Sequence, residues 1–346
     1  MRTAWRIPSS GLFWGEQRRC DALAYYVGVD LGGTKIYTGL ADAQGRILSE
    51  IKVPTAAENG YIAVIRRIAS TIEEVCNQAD VPVTEVSAIG VGAPGPLNSE
   101  TGVVHQAPNL GWENAPLGSD LEKLLHLPVL VDNDANLAAL GEHRFGAGRG
   151  ASDLVFITVS TGIGGGLILN NSLYRGAGFA AGEIGHTVVD PDGPPCSCGS
   201  RGCLETLASG SAIARQAQTL IASGGGRGIL VRTAEAPDEV TAVTVFDAAA
   251  GGDAEALHLI QTAARYLGIG IANILNLLNP SLVVLGGGVM ESGPLILDLV
   301  RGETRNYALK EAYASARLVP AELGERMGLM GALALAIGKP TGIGAT

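Results

Sequence analysis

The sequence predicts an α/β fold made of two similar lobes with a cleft between them. Short apolar segments typical of buried strands alternate with segments whose apolar residues recur at helical spacing. A strand, a polar glycine turn and a second strand occur at residues 25–40 and again at residues 154–169. Because each copy opens roughly half of the chain, the repeat predicts two related lobes.

Length and composition support about two packed domains and exclude several classes of protein. The chain has 346 residues, too many for a small disulfide scaffold, and its 47% hydrophobic and 17% charged residues are not those of a disordered protein. Its 34 acidic and 24 basic residues give a net charge of −10, which disfavours nucleic acid and membrane surfaces as partners. We expect a cytoplasmic protein, because the poorly ordered extension predicted for residues 1–25 lacks the apolar stretch of a secretory signal.

The first half of the chain predicts a hairpin followed by alternating helices and strands. The hairpin has a glycine tip, and a Gly-Pro loop over residues 92–96 follows the third strand. Asp132, Asn133 and Asp134 end the fourth strand, where they are natural caps for the helix that follows. The predicted elements are strands 25–29, 36–40, 86–91 and 127–131 and helices 62–79 and 135–145.

The second half repeats the hairpin and then becomes mostly helical. The uncharged run over residues 266–290 is long enough to span a bilayer, but its asparagines, proline and glycines favour a buried helix followed by a buried strand. Residues 224–238 read as a surface loop. The predicted elements are strands 154–160, 167–169 and 281–285, a helix from 204 to about 222, a long helical stretch through 278, and an amphipathic helix over 326–337.

Two glycine turns are candidate phosphate sites, because glycines let backbone N–H groups approach anionic oxygens closely. Neither has the Walker A spacing, and an ordinary hairpin is the alternative for each turn taken alone. Asp30 could hold Mg²⁺ or orient a phosphate, and its alternative is a turn or cap aspartate. The residues concerned are Asp30, Gly32, Gly33, Thr34 and Lys35 in the first turn and Thr161 and Gly162 in the second.

One histidine and three cysteines predict a structural zinc site. His186, Cys196, Cys198 and Cys203 lie within one glycine- and proline-rich segment of the chain. Four such ligands fill a tetrahedral site, so the Zn²⁺ ion would organise a loop rather than activate water. Redox chemistry of the thiols is the lesser alternative.

Asp134 is the candidate general base, because a carboxylate after an apolar strand can accept a proton from a hydroxyl group. Asp132 and Asn133 compete for that role, and a plain helix cap is the alternative for all three. Nearby loops supply the hydrogen-bond partners that a polyhydroxylated substrate requires. These are Asn109, Asn133, Glu183, His186 and Glu205.

Six groups of residues resemble the motifs of the ROK family of sugar kinases and repressors. That family has an actin-like, hexokinase-type fold, and the resemblance covers residues 26–340. The matching segments are residues 27–35, 92–96, 133–136, 159–166, 182–186 with the cysteine segment 196–205, and 286–288.

The resemblance implies two actin-like, ribonuclease H-like lobes around a central cleft. Residues 26–140 would form the N-terminal lobe, and residues 141–325 the C-terminal lobe with a zinc loop at 186–203. A helix over 326–340 would pack back onto the N-terminal lobe. Residues 1–25 are too few for the helix-turn-helix domain that the family's repressors carry.

The resemblance also implies a role for each candidate residue in an ATP-dependent kinase. Asp134 would deprotonate the 6-hydroxyl of a hexose, and Gly287 and Gly288 would lie near the adenosine. The glycine turns would face the phosphates of ATP and its Mg²⁺. The sugar contacts would be Asn109, Asn133, Glu183, His186 and Glu205, and the zinc ligands His186, Cys196, Cys198 and Cys203.

Residues 108–112 most resemble those of the family members that phosphorylate glucose, so glucose is the favoured hexose and glucose 6-phosphate the product. The alternatives are a kinase of N-acetylmannosamine or N-acetylglucosamine, and a non-catalytic sugar sensor or repressor. An actin-like ATPase without a sugar site would leave Glu183, His186 and Glu205 together without a purpose. The resemblance further implies a homo-oligomer, either a dimer or a tetramer.

Overall fold

The computed structural model describes residues 24–338, and its first half is built on a five-stranded sheet. A small three-stranded sheet and three helices accompany it. The strands are β1 (Tyr25–Leu31), β2 (Lys35–Asp42), β3 (Ile47–Pro54), β4 (Val86–Ala93), β5 (Leu97–Asn98), β6 (Val103–Ala107), β7 (Trp112–Ala115) and β8 (Val129–Asn133). The helices are α1 (Tyr61–Gln78), α2 (Leu117–Leu125) and α3 (Asp134–Phe145).

A second five-stranded sheet and eight helices make up the rest of the described chain. The strands are β9 (Leu154–Val159), β10 (Ile163–Leu169), β11 (Ser172–Tyr174), β12 (Leu282–Gly286) and β13 (Arg317–Pro320). The helices are α4 (Leu204–Ala208), α5 (Gly210–Ala222), α6 (Arg227–Leu230), α7 (Ala242–Ala250), α8 (Ala254–Leu278), α9 (Pro294–Tyr307), α10 (Lys310–Ser315) and α11 (Met327–Gly338).

The two large sheets have the same strand order, β3-β2-β1-β4-β8 in the first and β11-β10-β9-β12-β13 in the second. In each sheet the opening strand pairs antiparallel with its hairpin partner and parallel with the strand on its other side. Both glycine turns therefore occupy the same position in their sheets, at the carboxyl ends of β1 and β9. The prediction of an α/β fold with a repeated hairpin is confirmed.

Two helices connect the sheets. Helix α3 follows the last strand of the first sheet but packs on β9 and β10 of the second, whereas α11 packs on β1 and β4 of the first. The two helices cross at Gly141 and Gly331, where a Cβ on Gly331 would collide with the Leu137 carbonyl oxygen. Only glycine permits this close approach of the two backbones. The predicted domain boundaries at residues 140 and 325 stay a prediction.

Two predicted helices are wrong because polar caps divide them. The predicted helix over 204–222 is split at Ser209, whose hydroxyl accepts a hydrogen bond of 3.1 Å from the Ala212 N–H and starts α5. The predicted long helix before residue 278 is α6, α7 and α8, with Thr241 and Asp253 capping the last two. Side-chain oxygens of this kind compete with helical hydrogen bonds and begin a new helix.

The predicted surface loop over 224–238 contains α6, whose Ile229 is fully buried. The final helix was predicted to be amphipathic and is instead buried on most sides, because α11 lies between the first sheet and α3. The small sheet of β5, β6 and β7 has no counterpart among the predicted elements. Residues 1–23 of the predicted extension lie outside the described residues.

Within residues 24–338, no helix has the length and apolar character needed to cross a bilayer. The uncharged run over residues 266–290 falls on the end of α8 and on β12, in agreement with the predicted buried helix and strand.

Candidate active-site cleft

Three adjoining cavities lie near the carboxyl ends of the sheets; the inner and central cavities are lined by both halves of the chain, and the outer cavity by the second half. The inner cavity has a volume of about 150 Å³, the central cavity about 470 Å³ and the outer cavity about 300 Å³. Asp134 lines both the inner and the central cavity, and Thr161 lines both the central and the outer cavity. These shared residues make the cavities successive parts of one cleft.

The central cavity collects polar groups from both sheets. Asp30 comes from the end of β1, Asp134 from the start of α3, and Thr161 and Gly162 from the turn between β9 and β10. Glu205 of α4 also lines this cavity, and its Oε2 accepts a 2.8 Å hydrogen bond from the Ile163 N–H. The second glycine turn is therefore held in place by a carboxylate on α4.

Burial raises the pKa of Asp134 to about 6. The Ala135 N–H, 2.8 Å from Oδ1, opposes this rise, while the nearby carboxylates of Asp30 and Glu183 add to it. Burial also raises the pKa of Asp30, and the Lys35 ammonium opposes that change. A carboxylate with a pKa near neutrality is well suited to accept a proton from a substrate.

The three polar residues at the end of β8 have different partners, and only one of their carboxylates faces the cleft. Asp132 lines none of the three cavities, because its carboxylate is occupied by Arg175, Asn136 and the Asn133 N–H. Asn133 caps α3 by accepting from the Ala135 N–H at 2.9 Å, and its Nδ2 donates to the Gly95 carbonyl at 3.3 Å. Asp134 is thus the carboxylate of the three that faces the cleft.

The residues predicted to contact a sugar are distributed along the cleft. Asn133 and Glu183 line the inner cavity, together with Asp134, and Glu205 lines the central cavity. Asn109 lies against Gly33, where a Cβ would be 2.9 Å from the Asn109 Cβ. Asn109 and His186 are not among the residues that line the inner cavity.

The predicted phosphate and adenosine residues are only partly brought together. In the first turn, Asp30 lines the central cavity, whereas Gly32, Gly33, Thr34 and Lys35 do not. That turn is closed by a 2.9 Å hydrogen bond from the Gly32 N–H to the Lys35 carbonyl. In the third glycine cluster, Gly288 lines the outer cavity; Gly287 has a positive φ of 89° and packs on the Val159 carbonyl.

The histidine and the three cysteines form a candidate metal site. One potential ligand atom from each of His186, Cys196, Cys198 and Cys203 lies within 4.8 Å of all the others. The His186 Nδ1 and Cys196 Sγ atoms are 3.6 Å apart, as are the Cys198 and Cys203 Sγ atoms. Ligands about 2.3 Å from a tetrahedral ion lie at such separations from one another, so the donor set and its geometry fit Zn²⁺.

The structure adds residues that the sequence reasoning missed. His105 and Phe179 line the inner cavity, Gly328 lines the central cavity beside Asp30, and Ser211 and Val243 line the outer cavity. All five lie outside the motifs considered, and Ser211 and Gly328 lie in segments that were predicted to be helical. The glycines of residues 176–182 were the available signal for the loop that carries Phe179.

Comparisons of the sequence and of the structure with known proteins all point to the same family. A sequence model of the ROK family matches residues 26–339. A glucokinase of Halalkalibacterium halodurans is 40% identical over 89% of this chain and 93% of its own. The ROK hexokinase of Thermus thermophilus is 38% identical with a TM-score of 0.79, covering 90% of this chain and 97% of its own. A ROK glucokinase of Streptomyces griseus, solved with glucose and AMPPNP, is 38% identical with a TM-score of 0.75, covering 90% and 99%.

Proposed function

The chain belongs to the ROK family, and we propose that it transfers the γ-phosphate of ATP to the 6-hydroxyl of glucose, forming glucose 6-phosphate. The observation that carries the proposal is the position of the Asp134 carboxylate, which faces both the inner and the central cavity. The glucokinase relatives and the glucose and AMPPNP complex of one of them support the choice of substrates. The two sheets of equal strand order are then the cores of two actin-like lobes.

Glucose occupies the inner cavity in this proposal. Asn133 and Glu183 offer hydrogen bonds to its hydroxyl groups, and the Asp134 carboxylate takes the proton of the 6-hydroxyl as that oxygen attacks the γ-phosphorus. Asp134 is the only one of the three that also lines the central cavity. The reacting hydroxyl therefore points toward the phosphates.

The phosphates of ATP occupy the central cavity. Thr161 and Gly162 supply hydroxyl and backbone N–H donors at its floor, and Asp30 is the carboxylate placed to hold Mg²⁺ beside the phosphates. A bound Mg²⁺ ion neutralises phosphate charge during transfer. Gly328 lets the start of α11 approach Asp30, because a Cβ there would meet the carboxylate.

The adenosine occupies the outer cavity, between α5, α7 and the segment after β12. A Cβ on Gly288 would have no neighbour within 4 Å, so Gly288→Val is expected to fold normally and fill part of this cavity. We expect the KM for ATP to rise by about ten-fold and the KM for glucose to stay within about two-fold. Steady-state kinetics with each substrate varied in turn measures both constants.

Gly302→Val is the matched control, because a Cβ at Gly302 of α9 also has no neighbour within 4 Å and that residue lies away from the cleft. If Gly288→Val changes both KM values equally, or if the control shows the same change, the assignment of adenosine to the outer cavity is wrong.

The pH dependence of the reaction follows from Asp134. Its pKa of about 6 lies above the ordinary value for aspartate, so the reactive carboxylate is lost as the pH falls through 6. We therefore expect kcat/KM for glucose to be nearly constant above about pH 7 and to fall about ten-fold per pH unit below about pH 5. A pH–rate profile without a limb near pH 6, in enzyme that stays folded, would contradict this assignment.

The His186, Cys196, Cys198 and Cys203 cluster holds a structural Zn²⁺ ion in this proposal. With four protein ligands the ion has no open position, so it orders the segment between Glu183 and Glu205. His186 uses Nδ1 toward the cluster, which leaves Nε2 free, but His186 itself does not line the inner cavity. The cluster thereby links α4, which carries Glu205, to the rim of the inner cavity.

A panel of sugars tests the substrate. ADP release with Mg-ATP is measured with glucose, mannose, fructose, N-acetylglucosamine and N-acetylmannosamine, and glucose is expected to give the highest kcat/KM. A higher value for either acetylated sugar would make the chain a kinase of that sugar. Rapid ADP release without any sugar would indicate an ATPase, and binding of a sugar without turnover would indicate a sensor.

A further inference from the structure

An ion pair joins the two sheets at Asp132, two residues before Asp134. Asp132 lies in β8 of the first sheet, and Arg175 follows β11 at the edge of the second. The Nε of Arg175 donates a 2.7 Å hydrogen bond to Oδ2 of Asp132, and Nη2 lies 2.6 Å from the same oxygen. The Asp132 side chain is 1% exposed and that of Arg175 29% exposed, so water screens this pair far less than a surface pair.

The other oxygen of Asp132 fixes the residues on both sides of Asp134. Its Oδ1 accepts hydrogen bonds from the Asn133 N–H at 2.8 Å and from the Asn136 Nδ2 at 2.9 Å. Asn133 and Asn136 both line the inner cavity. One wall of the inner cavity is therefore built on the Asp132 carboxylate.

Arg175 holds the opposite wall. It begins the segment that leads to Glu183, and its carbonyl oxygen accepts a 3.1 Å hydrogen bond from the Ala181 N–H. Residues 178–183 line the inner cavity, with Phe179 in the left-handed region at φ 60°. The loop thus depends on Arg175 at its start, and Arg175 in turn is bound to the first sheet.

We propose that Asp132 and Arg175 are a positioning pair that sets the distance between the two walls of the hexose cavity. Neither residue lines that cavity, so they act through Asn133, Asp134 and Glu183. The inference rests on the proposed function, because it assigns the inner cavity to glucose. A displacement of the reacting groups by about 1 Å can lower the reaction rate about 10²-fold. The pair can therefore have a large effect on the rate without contacting the substrate.

The test compares Arg175→Met with Arg46→Met. Arg46 donates from Nε at 2.6 Å to Asp42, whose side chain is 5% exposed and also accepts from two backbone N–H groups. This second pair likewise joins an arginine Nε to a buried aspartate, but Arg46 itself is 77% exposed and the pair lies away from the three cavities. We expect Arg175→Met to lower kcat/KM for glucose about 10²-fold with the KM for ATP changed less than about three-fold, and Arg46→Met to change neither beyond about two-fold.

Two further variants separate positioning from a general loss of structure. Asp132→Asn combined with Arg175→Met removes the buried charge that the single variant leaves unpaired, so it is expected to recover part of the lost kcat/KM. Arg175→Lys keeps the charge without the planar fork and is expected to fall between wild type and Arg175→Met. If Arg175→Met does not fold, Arg175→Lys against Arg46→Lys provides the same comparison.

Hydrogen exchange of residues 176–183 gives a readout that needs no catalysis. Exchange in this segment is expected to be about ten-fold faster in Arg175→Met than in Arg46→Met. Unchanged exchange, equal kinetics in the two variants, or equal losses for glucose and ATP would overturn the positioning pair. Wild-type protein that does not phosphorylate glucose would instead overturn the proposed function, and the exchange result would still decide whether the pair holds the loop.

Discussion

Replacing Asp134 by asparagine is expected to lower kcat by at least about 10²-fold while glucose still binds, because the amide cannot accept the hydroxyl proton. Asparagine has nearly the same shape and can still accept a hydrogen bond from the Ala135 N–H, as the Oδ1 of Asp134 does at 2.8 Å. The measurement pairs steady-state kinetics with calorimetric titration of glucose. The expected result is a lost turnover with a dissociation constant for glucose near that of wild type.

Stability provides the control for this variant. Burial raises the pKa of Asp134 to about 6, so the ionised carboxylate costs folding free energy above that pH and less as it becomes protonated below it. Asp134→Asn is therefore expected to be at least as stable as wild type at about pH 8. Turnover near the wild-type value would reject Asp134 as the base, whereas lost turnover together with lost stability would point to misfolding.

Replacing Cys198, a ligand of the proposed zinc site, by serine is expected to prevent metal binding and to lower the melting temperature sharply. Structural zinc contributes folding free energy on the order of 10 kcal/mol in small sites, and the four potential ligand atoms lie within 4.8 Å of one another, where one ion could bind all of them. Metal analysis should find one zinc ion per chain in wild type and almost none in Cys198→Ser. Chelator treatment of wild type should have the same effect on melting.

The same variant is expected to weaken glucose binding, because the cluster adjoins the cleft. Cys203 directly precedes α4, whose Glu205 holds the second glycine turn through the Ile163 N–H. Cys76→Ala is the control, since that buried thiol lies in the core of the first half and its loss leaves a cavity without touching the cluster. A zinc-free wild type, or a Cys198→Ser protein that melts like wild type, would reject the metal site.

The fold was predictable where local pattern and tertiary structure agree. The repeated hairpin follows from strand periodicity around a glycine turn, and both sheets begin with it. The end of helix α8 and strand β12 follow from the uncharged run over residues 266–290, whose asparagines and proline mark the break between them. The division of α4 from α5 was missed because Ser209 is one residue within a helical pattern, and its role as a cap depends on the turn geometry that it adopts.

The candidate site was predictable to different degrees. The cluster of His186 and the three cysteines could be recognised from the sequence because its members are close together in the chain. That it binds a zinc ion stays a proposal. Asp134 could not be chosen over Asp132 from the residues alone, since both follow the same strand. The choice depends on Arg175, which is separated from Asp132 by 43 positions and is brought to it only when the two sheets meet.

The walls of the cavities were the least predictable part. Residues 178–182 and Gly328 line the cleft through loop and helix placement, and no local pattern of residues marks a cavity wall. The position of the backbone decides whether such a residue lines the cleft. At Gly328, for example, the absence of a side chain makes room for Asp30.

Phosphorus NMR of the product formed from glucose and Mg-ATP tests most directly the claim that the 6-hydroxyl of glucose is phosphorylated. The matched control is 6-deoxyglucose, which lacks that hydroxyl group. The proposed role of Asp134 predicts glucose 6-phosphate from glucose, no phosphorylated product from 6-deoxyglucose, and inhibition of the glucose reaction by 6-deoxyglucose. Phosphate attached at another position of glucose, or no sugar phosphate from a folded protein that binds ATP, would contradict it.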